Sequence, residues 1–410
     1  MTSELEAQGL KVREASRVLA QASNDSRVAV LLRVADALKN REDELLEINA
    51  EEVGAYVESG AGCDRLTLTS ARVTAMADAL RDIAAAPDPL FETLDQSVRP
   101  NGLHVERLRV PLGVIGVVYE NRPNVTSDVA GLCVRSGNAA YLRGSSSALR
   151  SNQFIVDLWR EALVQEGLPA DGVALVADSS HQAVITFMQL TDVLDCLVPR
   201  GGPSLIAAMR EHARVPFVLD GDGNCHVYVD DAAELDTAVK IVVNAKTSRP
   251  GVCNAAETVL VHRAVARDFL TALSRAMPEV ELRGDERTLA VLPAATPATN
   301  EDYEREFLDL ILAVKVVDSL DEAIEHVATY GTGHSEAIVT TNVEHAESWV
   351  RRVDAAAVVV NASTRFVDGS ELGLGGEVGI STQKLHARGP MGLRELTCLK
   401  WVLRGEGQVR

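Results

Sequence analysis

Residues Val114 to Leu142 read VIGVVYENRPNVTSDVAGLCVRSGNAAYL, and the change of period within them decides the fold. Val114–Val118 is an unbroken apolar run, as expected of a strand covered on both faces. Thr126 to Ser136 then carries apolar residues at helical spacing, and Ala139–Leu142 is apolar again. Strand, helix and strand within about thirty residues make a βαβ unit, whose two strands run parallel.

The same alternation spreads outward. Strands are expected at Val173–Val176, Leu194–Val198 and Pro216–Leu219, with helices at Ser147–Glu166, His181–Leu190 and Pro203–Glu211. A second series has strands at His226–Val229, Thr258–Val261, Ala313–Val317, Ala337–Thr340 and Ala357–Val360, with helices at Glu234–Lys246 and Ser319–Ala328. This is an α/β chain with two parallel-sheet domains of the dinucleotide-binding kind, divided near Gly221–Gly223. Ahead of them, Ser3 to Ala85 is helical, with Val28, Leu31, Leu32, Ala35, Leu38, Leu45 and Ile48 as apolar positions and Asn24–Ser26 as a helix cap. Asn101-Gly102 between two alternating runs predicts a hairpin over Ser97–Arg107. Ser363 to Gly392 reads as loop, and Leu399–Leu403 as a short strand that completes a sheet elsewhere, in this chain or another subunit.

Composition excludes several classes of function. At 410 residues with 46% hydrophobic and 24% charged content, the chain is an ordinary globular protein of more than one domain. A net charge of -19 argues against nucleic acid and against an anionic membrane surface. No apolar run is long enough for a membrane span. The six cysteines lack C-x-x-C or zinc-like spacing and no leader is evident, so free thiols in a reducing cytoplasm are expected, and no metal.

One cysteine stands apart. Asn244 to Val261 reads NAKTSRPGVCNAAETVLV, with a Pro250-Gly251 turn presenting Cys253 and with Lys246 and Arg249 nearby to favour a thiolate. The alternative is a buried thiol. G-x-G-x-x-G is absent, but two other turns end strands and open helices: Arg143-Gly144-Ser145 and Arg200-Gly201-Gly202-Pro203-Ser204. Each offers free N–H groups and an arginine to an anion, unless it is a plain βα turn. Asn121, after the first strand, is either an oxyanion donor or a cap. His334, in a polar loop, is either a substrate or proton-transfer residue or a local hydrogen-bond partner.

Four blocks carry a resemblance that covers Val18 to Val409: VPLGVIGVVYENRPNVT (Val110–Thr126), SRPGVCNAAETVLVH (Ser248–His262), HVATYGTGHSEAI (His326–Ile338) and GEVGISTQKLHARGPMGL (Gly376–Leu393). In these the chain closely resembles the γ-glutamyl phosphate reductases, a branch of the aldehyde dehydrogenase superfamily. The resemblance implies Cys253 as nucleophile and Asn121 as oxyanion donor. It implies NADP binding by Arg143, Gly144, Ser145, Arg200, Gly201, Gly202, Ser204 and Glu306. Arg122, Arg249 and His334 become candidates for the substrate's phosphate and α-carboxylate. Residues 1–92 and 110–222 would then bind NADP, 223–388 would carry catalysis, and 93–109 with 389–410 would form a β element for homo-oligomerisation.

The activity so implied is NADPH-dependent reduction of L-glutamyl 5-phosphate to L-glutamate 5-semialdehyde, the second step of proline biosynthesis from glutamate. A glutamate 5-kinase that supplies the acyl phosphate is the implied partner. Hydrolytic relatives carry a general-base glutamate in a Glu-Leu-Gly-Gly segment, whereas the matching stretch here is Leu219-Asp220-Gly221-Asp222-Gly223-Asn224. That absence suits a thioester that water must not destroy. Asp220 as a shorter base keeps open the alternative, an NAD(P)-dependent hydrolytic aldehyde dehydrogenase.

Overall fold

The computed structural model describes residues 4–56, 61–219 and 221–410, which form two compact units. The first comprises Met1–Leu219, Gly373–Gly379 and Met391–Arg410; the second comprises Asp220–Leu372 and Ile380–Pro390. The predicted hairpin and the C-terminal strand fall inside the first unit, as does Gly373–Gly379. Among the described residues no helix is long and apolar enough to cross a membrane.

In the first unit, β1 (Thr93–Val98) and β2 (His104–Pro111) form the expected hairpin. The C-terminal strand Thr397–Arg404 pairs antiparallel with β2 of its own chain, setting Leu399 opposite Arg109 and Trp401 opposite Arg107. Next come β3 (Val114–Tyr119), β4 (Ala139–Arg143), β5 (Val173–Leu175) and β6 (Cys196–Arg200), all parallel, in the order β5-β4-β3-β6. The chain steps from β3 to one side and later returns to the other, so the strand order reverses beside β3. A crevice at the strands' carboxyl ends is the usual result of such a reversal. The expected strand Pro216–Leu219 is reduced to a single bridge between Phe217 and Leu197. Pro216 has no N–H with which to extend a ladder.

The leading helices bury Val30, Leu31, Val34, Ala35 and Leu38, each at 0% exposure, while Leu32 is 41% exposed. The apolar stripe is therefore rotated by about a residue from the expected one. The second helix, Asn24–Asn40, is capped by Ser23, whose hydroxyl accepts from the Ser26 N–H at 3.1 Å. The cap lies one residue ahead of the predicted Asn24–Ser26, because the N-cap residue itself stays outside the helix.

The second unit is built on seven parallel strands: β7 (Cys225–Val229), β8 (Ala256–His262), β9 (Glu281–Gly284), β10 (Thr296–Pro297), β11 (Ile311–Val317), β12 (Ser335–Val339) and β13 (Ala357–Val360). Their order is β10-β9-β11-β8-β7-β12-β13, which places β7 and β8 in the interior. Successive side chains serve opposite faces. Val227 and Val229 join one core with Val259 and Phe269, and Tyr228 joins the other with Leu260, Ile338 and Trp349. Burying one such aliphatic side chain contributes about 1.5–3 kcal/mol.

At the end of β7, Asp230 is 1% exposed. Its Oδ2 accepts from Thr340 at 2.6 Å and meets His345 Nδ1 at 2.8 Å. The hydrogen bond to Asp230 raises the His345 pKa, against a smaller lowering by burial. A raised folded-state pKa gives stability that is full below the unfolded value of about 6.5 and is lost as pH rises through the folded one. His345→Ala is therefore expected to cost about 1 kcal/mol near pH 5.5, a figure reduced for the ring's partial exposure, and little near pH 9. Urea denaturation at the two pH values measures the difference, and an equal cost at both would refute the linkage.

Candidate active site

Cys253 lies in the turn that joins the helix Leu235–Thr247 to β8, and it is partly exposed. The turn is fixed from several sides. A Cβ at Gly223 would overlap the Cys253 carbonyl, so only glycine lets the two backbones approach this closely. The Gly223 N–H donates to Glu306 Oε1 at 2.9 Å, and the Cys225 thiol donates to the Cys253 carbonyl at 3.1 Å. On the other flank, Asn254 Nδ2 donates to the Val367 carbonyl at 2.8 Å, and the Thr364 hydroxyl donates to the Asn254 carbonyl at 2.7 Å.

The residues behind Cys253 form a buried polar layer. Asn224 Nδ2 donates to the carbonyls of Tyr303 and Tyr330 at 2.7 and 2.8 Å. His226 meets Glu336 Oε2 through both its backbone N–H and its Nδ1, each at 2.9 Å. Burial raises the Glu336 pKa, and His226 opposes this in part. His334, expected on an open loop, is fully buried, with Nδ1 at 2.9 Å from the Ser335 hydroxyl and 3.7 Å from Cys225 Sγ. It stands one residue ahead of β12, where strand pairing draws the loop under the sheet.

Lys246 does not serve the sulfur as the sequence suggested. Its Nζ lies 2.6 Å from Glu257 Oε2, with both side chains at 0% exposure. Burial lifts the Glu257 carboxyl to about 7 and lowers the Lys246 ammonium. Arg249 is exposed and has no hydrogen-bond or ion-pair partner among the described residues. Asp220 lies outside the described residues, and Asp222 is exposed. Arg365 was missed altogether. Its Nε donates to the Ser248 hydroxyl at 3.2 Å and its Nη1 to Asn254 Oδ1. Sequence spacing offered no signal, since more than a hundred residues separate Arg365 from Asn254.

Cys133, Cys196 and Cys225 are buried, and burial pushes all three thiols up, Cys196 to about 12. They keep their protons and are chemically quiet. Asp230, Asp231 and His345 bring possible metal-ligand atoms within 4.8 Å of one another, but Asp230 and His345 already bond each other.

In the first unit, the loops after β3, β4 and β6 meet at one end of the sheet. Asn121 has φ +25, a left-handed backbone that asparagine tolerates best among residues with a Cβ. Its Nδ2 donates to Tyr56 at 2.7 Å, and its Oδ1 accepts from Ser145 at 2.8 Å and Ser147 at 2.5 Å. Arg122 stands as the cap residue of the helix Pro123–Arg135. Arg143 Nη2 donates to the Ser179 carbonyl at 2.6 Å, while its Nε is buried without a partner among the described residues. A Cβ on Gly144 would collide with Asn152 and crowd the Tyr119 ring at 3.2 Å, so the backbone there is bare. At the third loop, the Gly202 N–H donates to Glu120 Oε2 at 3.3 Å, and the Glu120 N–H donates to the Arg200 carbonyl at 3.2 Å. Ser204 is exposed in the first turn of the helix Pro203–His212.

Comparison with known proteins identifies the family. The model of the aldehyde dehydrogenase family matches residues 4–309 and 296–402. The chain is 51% identical to the γ-glutamyl phosphate reductase of Moorella thermoacetica, over 99% of both chains. It is likewise 51% identical to that of Heliobacterium modesticaldum, over 100% of this chain and 99% of the relative. The crystal structure of γ-glutamyl phosphate reductase from Thermotoga maritima matches with a TM-score of 0.97 and 45% identity, covering 100% of both chains.

The contact at Gly223 gives a direct test. Gly223→Ala forces a methyl against the Cys253 carbonyl and is expected to cost about 1–3 kcal/mol of stability, as overpacking does. It should also change the rate at which iodoacetamide alkylates Cys253, followed by peptide mass mapping. A variant with unaltered stability and alkylation rate would show that the turn is not held this way.

Proposed function

The chain belongs to the aldehyde dehydrogenase family, in its γ-glutamyl phosphate reductase branch, and from that premise we propose that it reduces L-glutamyl 5-phosphate to L-glutamate 5-semialdehyde through a thioester on Cys253. The observation that carries the reading is the state of Cys253 itself. It is a partly exposed cysteine in a turn held by glycine packing on one side and by Asn254 on the other. A nucleophile needs accessibility and a fixed position, and the buried thiols Cys133, Cys196 and Cys225 lack access.

The steps assigned to this chain's residues are few. The Cys253 thiolate attacks the acyl carbon, a C–S bond forms, and the C–O bond to phosphate breaks as phosphate leaves with the electron pair. Asn121 is assigned the role of oxyanion donor, with one amide hydrogen committed to Tyr56. The loops Arg143–Ser145 and Arg200–Ser204, with Glu306, are assigned to NADP. Their fit rests on the bare backbone at Gly144, the buried unsatisfied Arg143 Nε and the strand order around β3. When bound, NADPH supplies the hydride that takes the thioester to the aldehyde level. The aldehyde then leaves and Cys253 is restored as thiolate.

The three-stranded sheet supports assignment to a homo-oligomer, since Val98, Trp401 and Leu403 are 61%, 61% and 59% exposed on its two edge strands. A small-molecule acyl phosphate supplied by a glutamate 5-kinase and a cytoplasmic setting complete the reading.

Cys253→Ala and Cys253→Ser are each expected to lower acyl-phosphate-dependent NADPH oxidation by at least about a thousandfold, as removal of a covalent nucleophile does. In the opposite direction, NADP reduction with pyrroline-5-carboxylate, the cyclic imine that L-glutamate 5-semialdehyde forms by losing water, should require inorganic phosphate. Near-normal rates in either variant would overturn the covalent mechanism, and turnover without phosphate would favour the hydrolytic enzyme instead.

A further inference from the structure

Arg365 is the cation that the Cys253 turn holds on both sides. Its guanidinium bonds Ser248, five residues before the sulfur, and Asn254, the residue after it. Both acceptors are uncharged. Among the described residues Arg365 has no carboxylate partner, in a chain whose net charge is -19. Other arginines of the same unit are ion-paired: Arg283 with Glu281 and Asp302, Arg287 with Asp318, and Arg352 with Asp321.

Its donors are only partly used. Arginine presents five N–H groups in a rigid fork. Nε and one hydrogen of Nη1 are taken, and Nη2 has no acceptor among the described residues. The side chain is neither fully exposed nor fully buried. Its backbone is held as well, since Arg365 is the middle residue of the turn Thr364–Phe366, which Asn254 clamps through Thr364 and Val367. The result is an oriented, uncompensated positive charge beside the nucleophile, the arrangement in which a guanidinium binds phosphate or carboxylate in two-pronged fashion.

We propose that Arg365 is the phosphate-binding residue of the Cys253 site, a proposal that rests on the thioester reading above. In the reductive direction its free donors receive the departing phosphate as the C–O bond breaks. In the oxidative direction they hold inorganic phosphate while a phosphate oxygen attacks the thioester carbon, the C–S bond breaks and the thiolate leaves. Phosphate takes precedence over the substrate's α-carboxylate because it is bonded to the acyl carbon that Cys253 attacks.

The oxidative direction separates the steps. With pyrroline-5-carboxylate and NADP but no phosphate, the wild-type protein should form one equivalent of NADPH per site and stop. Added phosphate should then start turnover. In Arg365→Gln the stoichiometric phase should persist within about twofold, while the KM for phosphate rises about 10- to 100-fold, the range for losing a charge-assisted contact. Arg365→Lys should lie between, keeping the charge but losing the fork. An unmoved phosphate KM in both variants overturns the proposal. So does a KM increase confined to pyrroline-5-carboxylate, which would mark an α-carboxylate contact. So does loss of the stoichiometric phase in both, which would mark a role in positioning Cys253. Absence of that phase in the wild-type protein would overturn the thioester reading and this proposal with it.

Discussion

The position of Cys253, the proposed nucleophile, depends on one close backbone approach. Gly223 has no side chain, and the Cys253 carbonyl occupies the space where one would be. The other contacts around the turn follow from that. Cys225 is two residues beyond Gly223, so its thiol faces the same carbonyl. Glu306 can reach the Gly223 N–H, and Asn224 and His226 are left to anchor the segment from beneath. Because β7 begins at Cys225 in the interior of a seven-stranded sheet, the turn inherits the rigidity of the sheet. Rigid elements hold catalytic groups more closely than free loops do.

The electrostatics divide the neighbouring groups by burial. Lys246 and Glu257 are both removed from water, and the burial that lifts Glu257 toward neutrality also lowers Lys246. An ion pair of this kind is costly to break from one side and adds little by itself. It joins the helix before Cys253 to the strand after it, and Glu257 Oε1 also accepts from the Leu308 N–H at 3.2 Å. Lys246 therefore braces the turn. Cys225, whose pKa burial also raises, stays protonated and acts as a donor. Of two cysteines close in space, Cys225 thus has a structural task, and Cys253 is the one left partly exposed.

Much of this could be read from the sequence because it is written in local periods. The strand Val114–Tyr119 is a continuous apolar run, Cys225–Val229 is apolar apart from His226, and the turns that begin at Arg143 and Arg200 hold Arg, Gly and Ser close together in sequence. What escaped has a physical cause in each case. The strand Glu281–Gly284 is four residues long and alternates with charge, and Thr296–Pro297 is shorter still, so neither shows a buried run. The rotation of the apolar stripe that leaves Leu32 exposed depends on which neighbours a helix meets, not on spacing alone. His334 looked polar and loop-like, yet pairing of β12 with β7 buries it. Lys246 and Arg249 were both near Cys253 in sequence, and only the fold shows that Lys246 is taken by Glu257.

A cation's partners say more about its purpose than its distance along the chain. In a strongly acidic protein most arginines find a carboxylate, and the pair leaves little charge for a ligand. Arg143 and Arg365 differ in the same way: the first bonds the carbonyls of Ser179 and Ser180, the second bonds Ser248 and Asn254. Neutral acceptors orient a guanidinium without cancelling its charge. One such arginine ends a strand in the sheet whose order reverses beside β3, and the other lies beside the Cys253 turn of the second unit. The proposed acyl-phosphate reduction needs positive charge for a dinucleotide phosphate and for the phosphate that leaves, and each unit holds an arginine whose hydrogen bonds go to neutral acceptors. An enzyme releasing only a carboxylic acid would have no use for the second.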